Sequence, residues 1–167
     1  MNNLYAAAVV TMFGLVDVIE GKWLTAEVTL PSGQVEEMEL ITTKVCMTKD
    51  IGVHGNLFGG KMLAWLDEAG AAYACQLAHS TKMVTRHISE VEFSKPVREG
   101  RIVKIYGQAI HYGKTSIKIH MEARAHNPHS GEQKIVCSTD MVFVRIDDDG
   151  DALPLEFTIK DKTNGTK

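Results

Sequence analysis

The amino-acid sequence predicts an α+β domain in which an antiparallel sheet wraps around one long buried helix. Three observations lead there. A single alanine- and glycine-rich apolar segment runs from about Gly60 to His79. Four extended segments follow it. The clearest of them alternates apolar and polar residues, the mark of a half-buried antiparallel strand. A lone buried helix has to be covered, and those strands are what the chain offers to cover it.

The elements follow in order. Met38 to Met47 reads as a strand, and Trp23 to Leu30 as an extra one before it. In the helical segment Met62, Leu63, Trp65, Leu66, Ala69, Ala72, Tyr73 and Leu77 leave hardly a polar face, and a helix apolar all round is a buried one. Gly70 lowers its propensity by about 1 kcal/mol relative to Ala; with the surrounding alanines it makes a thin helix that a sheet can approach closely. Met83 to Lys95 is extended and closes at Pro96, with a turn at Glu99-Gly100. Arg101 to Tyr112 ends at Gly113. Lys114 to His126 places Ile117, Ile119, Met121, Ala123 and Ala125 on one face and Lys118, His120, Glu122 and Arg124 on the other. A loop at Asn127-Pro128-His129-Ser130-Gly131 leads to the last strand, Gln133 to Ile146.

The 167 residues suffice for one domain with a real core. Its expected organisation is an N-terminal extension over 1–35, the domain over 36–155 and a polar, frayed tail over 156–167. A net charge of -3 argues against a nucleic-acid partner, which calls for a surplus of Lys and Arg. Cys46, Cys75 and Cys137 are odd in number and far apart, which predicts reduced thiols and a cytoplasmic setting. The apolar stretch Tyr5 to Val16 has no Lys or Arg before it and is shorter than the roughly 20 residues a bilayer needs, so a buried helix or strand is expected there and no membrane partner.

Chemistry concentrates on the helix and the loop before it. Between Lys61 and Gln76 the only carboxylates are Asp67 and Glu68. Burying an aspartate costs several kcal/mol unless it is paired or solvated by a site. Desolvation raises a carboxylate's pKa and makes it a stronger base, suited to activating water. The competing reading is an Asp67 directed into a polar subunit interface, or paired with a Lys or Arg of the sheet. Glu68, about 100° around the helix, is expected in solvent or in an ion pair. Upstream stands His54-Gly55-Asn56-Leu57-Phe58-Gly59-Gly60. Glycines opening a helix let a ligand approach its free N–H groups, which favour an oxyanion; a turn or tight packing explains them equally well.

Gly113-Lys114-Thr115-Ser116 mimics the end of a phosphate-binding loop, but Gln108 stands where its first glycine belongs and no helix follows. A hairpin turn remains, able to hold a nucleotide phosphate or simply solvated. The seven histidines show no metal-ligand spacing, and neither a GxSxG elbow nor a cysteine nucleophile motif is present. Water attack assisted by a carboxylate is the chemistry left.

The stretches GVHGNLFGGKMLAWLDEAGAAYACQLAH and SEVEFSKPVREGRIVKIYGQAIHYGKTSIKIHMEA resemble acyl-CoA thioesterases of the YciA and brain acyl-CoA hydrolase type. The resemblance extends over about Leu40 to Pro154 and includes the strand ending in Phe-x-x-Pro-Val, the glycine after it and the Gly-x-Thr-Ser hairpin. It implies a hotdog fold, a dimer commonly assembled into a trimer of dimers, an active site between protomers, and hydrolysis of acyl-CoA to free acid and CoA. No cofactor is implied, since coenzyme A is part of the substrate. The family's helix carboxylate maps onto Asp67, its oxyanion-donor region onto Gly59 and Gly60, and its CoA-binding surface near Gly113, Lys114, Thr115 and Ser116. Relatives carry an Asn where this chain has Gly52, which leaves His54 or Asn56 to orient substrate or water. Arg86 or Lys114 is expected near the CoA phosphates, and Phe58, with Trp65 and Tyr73, around the acyl pocket. Two alternatives are a hydroxyacyl-thioester dehydratase, whose His-Phe-Pro-Gly-type turn is absent, and a non-catalytic acyl-CoA-binding hotdog protein. Sensors of that second kind normally carry a DNA-binding appendage, and the first 35 residues show no basic helix-turn-helix.

Overall fold

A computed structural model describes residues 38–155. The expectations for the 1–35 extension, including Tyr5 to Val16 and the Trp23 to Leu30 strand, and for the 156–167 tail lie outside the described residues. In chain order the elements are β1 (Glu39–Val45), a 3-10 turn (Thr48–Asp50), α1 (Gly59–Ala78), β2 (Met83–Ile88), β3 (Glu92–Phe93), β4 (Ile102–Tyr112), β5 (Ser116–His126) and β6 (Gln133–Arg145). The strands form one antiparallel sheet in the order β1-β4-β5-β6-β2, with β3 also on β6. α1 packs against β1, β2, β4, β5 and β6, so it touches both edges of the sheet as well as its middle.

A sheet that reaches round a helix has to bend, and β-bulges bend strands and increase their twist. Four residues are skipped by the ladders: Ile41 in β1, Arg86 in β2, Ile110 in β4 and Val136 in β6. The extended run expected from Met83 to Lys95 is broken for a related reason. Ile88 pairs with Met141 and Glu92 with Ser138, so four steps on one strand oppose three on the other, and Ser89 to Val91 leave the ladder.

Alternation in β5 sorts as expected. Ile117, Ile119, Met121 and Ala123 are fully buried against the helix, while Lys118, His120, Glu122 and Arg124 lie on the far face. There they are joined side chain to side chain: Lys118 Nζ stands 2.8 Å and His120 Nδ1 2.7 Å from Asp140, and Arg124 Nη2 lies 2.6 Å from Glu122 with its guanidinium 4.4 Å over the Tyr106 ring. His120 is therefore one member of a polar network on that face.

Two glycines set how close helix and sheet come. A Cβ on Gly70 would stand 2.6 Å from the Phe143 ring, and one on Gly107 would stand 3.2 Å from the Tyr73 ring. The helix is not buried all round, however. Trp65, Leu66, Ala69 and Tyr73 are buried, but Ala64, Glu68, Ala72 and Gln76, four residues apart, form an exposed face. Alanine is counted as apolar in a sequence, yet it removes little surface from water, so an alanine face needs no cover.

Candidate active site

Asp67 sits near the middle of α1, half-buried, and accepts a hydrogen bond of 2.6 Å at its Oδ1 from the Thr85 hydroxyl of β2. The pairing with a Lys or Arg of the sheet, weighed as the alternative, is not made. Its neighbour Glu68 points the other way and pairs with Lys44 of β1 at 3.3 Å. The 100° step between consecutive helical residues thus sends the two carboxylates toward opposite edges of the sheet. β2 is the edge strand on the Asp67 side, and among the described residues its outer backbone has no partner strand.

The loop before the helix is held at three points. Asp50, 4% exposed, accepts the Met47 N–H at 3.0 Å with its carboxylate and the Phe58 N–H at 2.9 Å with its carbonyl. Leu57 N–H donates to the Val97 carbonyl at 2.7 Å, and Gly55 turns the chain at φ +70. Phe58 supplies no side-chain cap. Lys61 and Met62 N–H both use the Phe58 carbonyl, which leaves the Gly59 and Gly60 N–H groups without an acceptor among the described residues. Two such donors at a helix start are an anion site in waiting.

Gly59 also borders an apolar cleft of about 300 Å³ shared with Asn56, Met62, Phe93 and Val97. Asn56 Oδ1 is buried, and no donor among the described residues reaches it. His54 is exposed at the loop tip, and Phe58 is 62% exposed beside Gly60. Trp65 and Tyr73 belong to the core, so of the three aromatics expected at the acyl pocket only Phe58 is free to meet a ligand.

Gly113, Lys114, Thr115 and Ser116 form the β4–β5 hairpin turn, closed by Gly113 N–H to Ser116 O at 2.8 Å. It is tied to its surroundings through its carbonyls: Lys114 O accepts from Leu155 N–H and Thr115 O from Arg145 N–H. Arg86 is the bulged residue of β2 and is exposed next to Thr85.

These residues fall into two groups at opposite ends of the sheet. Thr85 stands opposite Phe143, which stands opposite Ile117, so Asp67, Arg86 and the hairpin share one end. Phe93 stands opposite Cys137, six residues of β6 away, roughly 20 Å at strand rise, and the cleft with Asn56, Gly59 and Gly60 is at that end. Along the helix, eight residues or about 12 Å separate Gly59 from Asp67. One chain does not bring its carboxylate and its free amides onto one carbonyl.

Of the three free cysteines, Cys46 and Cys137 are buried, which disfavours them as nucleophiles, and burial pushes the Cys137 thiol up to about 11; Cys75 is half-buried on α1. Cys46 is likewise raised by burial, then by the charges of Asp50 and Glu99. Reasoning from sequence missed two contributors. Thr85 is signalled only as a hydroxyl at an inward position of an edge strand, and Asp50 as an acid closing a short turn.

A helix clasped by a six-stranded antiparallel sheet, carrying one half-buried carboxylate at an open edge and unpaired amides at its start, defines a hydrolase of the hotdog class. The sequence profile of the Thioesterase superfamily matches residues 54–132. An acyl-CoA thioester hydrolase of Haemophilus influenzae, named as uncharacterized, is 31% identical over 130 residues, covering 76% of this chain and 84% of that protein. The acyl-CoA thioester hydrolase YciA of Salmonella typhimurium is 30% identical over 120 residues, 70% of this chain and 90% of that one. Among solved structures, the hexameric hotdog fold thioesterase of Campylobacter jejuni matches with TM-score 0.62 and 31% identity, over 71% of this chain and 90% of that chain. An Asp-to-Ala mutant of a hexameric broad specificity acyl-coenzyme A thioesterase matches with TM-score 0.70 and 28% identity, over 75% and 91%. The chain belongs to the thioesterase superfamily, among its YciA-type acyl-CoA thioester hydrolases.

Proposed function

We propose that the protein hydrolyses acyl-CoA to a carboxylic acid and free CoA, with Asp67 as general base on water. The observation that carries this reading is the Asp67 carboxylate, half-buried at the open β2 edge and oriented by the Thr85 hydroxyl. The carboxylate takes a proton from water, the hydroxide oxygen attacks the thioester carbon, the C–S bond breaks, and the proton passes to the leaving thiolate. Carboxylate assistance of this kind contributes typically 10²–10⁴-fold. The Gly59 and Gly60 N–H groups receive the carbonyl oxygen as it gains charge.

The 12 Å between base and amides makes the site a shared one. Two copies that pair along β2 in antiparallel fashion place the Asp67 end of one beside the Gly59 end of the other, and the unpaired β2 edge supports that pairing. His54 or Asn56 of the facing copy then orients water or substrate, with Lys114 or Arg86 near the CoA phosphates. The hexameric state of the structural relatives supports further assembly into a trimer of dimers. No cofactor takes part in the reaction as written, since coenzyme A enters and leaves with the substrate. Three free cysteines support a cytoplasmic setting, and no helix among the described residues is long and apolar enough to cross a membrane.

The test is Asp67→Ala, assayed on a panel of acyl-CoA thioesters with a thiol reagent. Loss of at least a hundredfold in kcat with an unchanged thermal transition is expected. Near-parental turnover would retire Asp67 as the base.

A further inference from the structure

We infer that the cleft at the helix start is a chain-length ruler for the acyl group, with Phe93 as its selective wall and Val136 at its floor. This rests on the thioesterase reading above and deepens it. Gly59 links the two features: its unpaired N–H marks where the thioester oxygen goes, and the same residue borders the cleft. An acyl chain leaving that carbonyl has this cleft as its adjacent apolar space.

The lining fits an aliphatic chain. Met62, Val97 and Val136 are 3%, 4% and 2% exposed and form a fixed floor. Phe93 is 54% exposed, and its ring lies 3.4 Å from where a Cβ on Gly59 would stand, so a chain passing Gly59 runs along that ring. Of the polar contributors, Ser94 and Lys95 are exposed, which places them at the mouth, while Asn56 lies further in with its Oδ1 buried. Neither helix nor strand geometry needs a phenylalanine left half in water at this point.

The volume sets the ruler's length. A water molecule in the liquid takes about 30 Å³, and a methylene displaces roughly as much. A cleft of about 300 Å³ has room for a medium-length acyl chain. Each methylene buried adds at most about fourfold to kcat/KM, so the specificity constant rises with chain length and levels off once the cleft is filled, short of sixteen carbons.

The experiment measures kcat/KM for acetyl-, butyryl-, octanoyl- and palmitoyl-CoA with the full chain, Phe93→Ala and Val136→Phe. In Phe93→Ala and in Val136→Phe the octanoyl-to-acetyl ratio is expected to fall at least tenfold. Phe93 is largely exposed, so its variant reports even if the buried Val136 variant does not fold. A ratio that stays at the parental value in Phe93→Ala overturns the ruler and leaves the cleft to be covered by the second copy of the chain. So does a parental kcat/KM that continues to rise from octanoyl- to palmitoyl-CoA. Failure of the parental protein to turn over any of the four thioesters is a different result, and it removes the thioesterase reading itself.

Discussion

The Thr85 hydroxyl stands 2.6 Å from Asp67 Oδ1 and is the one hydrogen-bond donor the described residues give this carboxylate. In the mechanism proposed above, Thr85 is a positioning residue that acts through Asp67.

Thr85→Val keeps the shape and removes the donor. Hydrogen bonds to charged groups are worth about 1.5–3 kcal/mol, so kcat is expected to fall about tenfold to a hundredfold. Thr85→Ser should restore the rate. A valine variant with the parental rate would reduce Thr85 to packing.

Asp50→Ala strips the Met47 N–H of its acceptor in a nearly buried place. Leaving such a group unsatisfied costs about 1–3 kcal/mol. Because the loop it anchors carries the helix start, kcat should fall along with the urea midpoint. Loss of stability alone, with kcat intact, would separate the anchor from the oxyanion amides.

Gly70→Ala sets two effects against each other. Alanine gains about 1 kcal/mol of helix propensity. Its Cβ would come within 2.6 Å of the Phe143 ring, which is fully buried and cannot swing aside, and overpacking costs typically 1–3 kcal/mol. Net destabilisation is expected, read as a lower urea midpoint with the slope unchanged.

Asp140 predicts an acid limit. Burial pushes its carboxyl up, but the hydrogen bonds and charges of Lys118 and His120 outweigh burial and hold it below its ordinary 3.8. With the folded value depressed, the unfolded chain binds the proton first as pH falls. The stabilisation is complete above the ordinary value and is lost as pH drops through the folded one. Asp140→Asn should lower the urea midpoint at neutral pH and flatten its fall below about pH 4.

The fold was legible where side-chain period and burial coincide. β5 alternates without exception, and its boundaries follow from Gly113 and from the Asn127 loop. α1 was legible in extent but not in environment, because Ala64 and Ala72 read as apolar while their small side chains sit at the surface. The break at Ser89–Val91 was hidden because Glu90, Val91, Glu92 and Phe93 go on alternating polar and apolar through it. At the site, Asp67 stood out as an acid in an apolar helix. Thr85 did not, because its meaning comes from a hydrogen bond between residues 18 apart in sequence. Nor does a sequence show that Asp67 and Gly59 belong to opposite ends of the sheet.

The position of α1 in the chain has a consequence during synthesis. Its buried face is completed only by β4, β5 and β6, and the last of these ends 67 residues after the helix does, at 145 against 78. At about 5–20 residues per second, the ribosome holds Trp65, Leu66 and Tyr73 uncovered for roughly 3–13 seconds. The apolar face of α1 is therefore the part of a nascent chain that waits longest for its cover, until the final strand emerges.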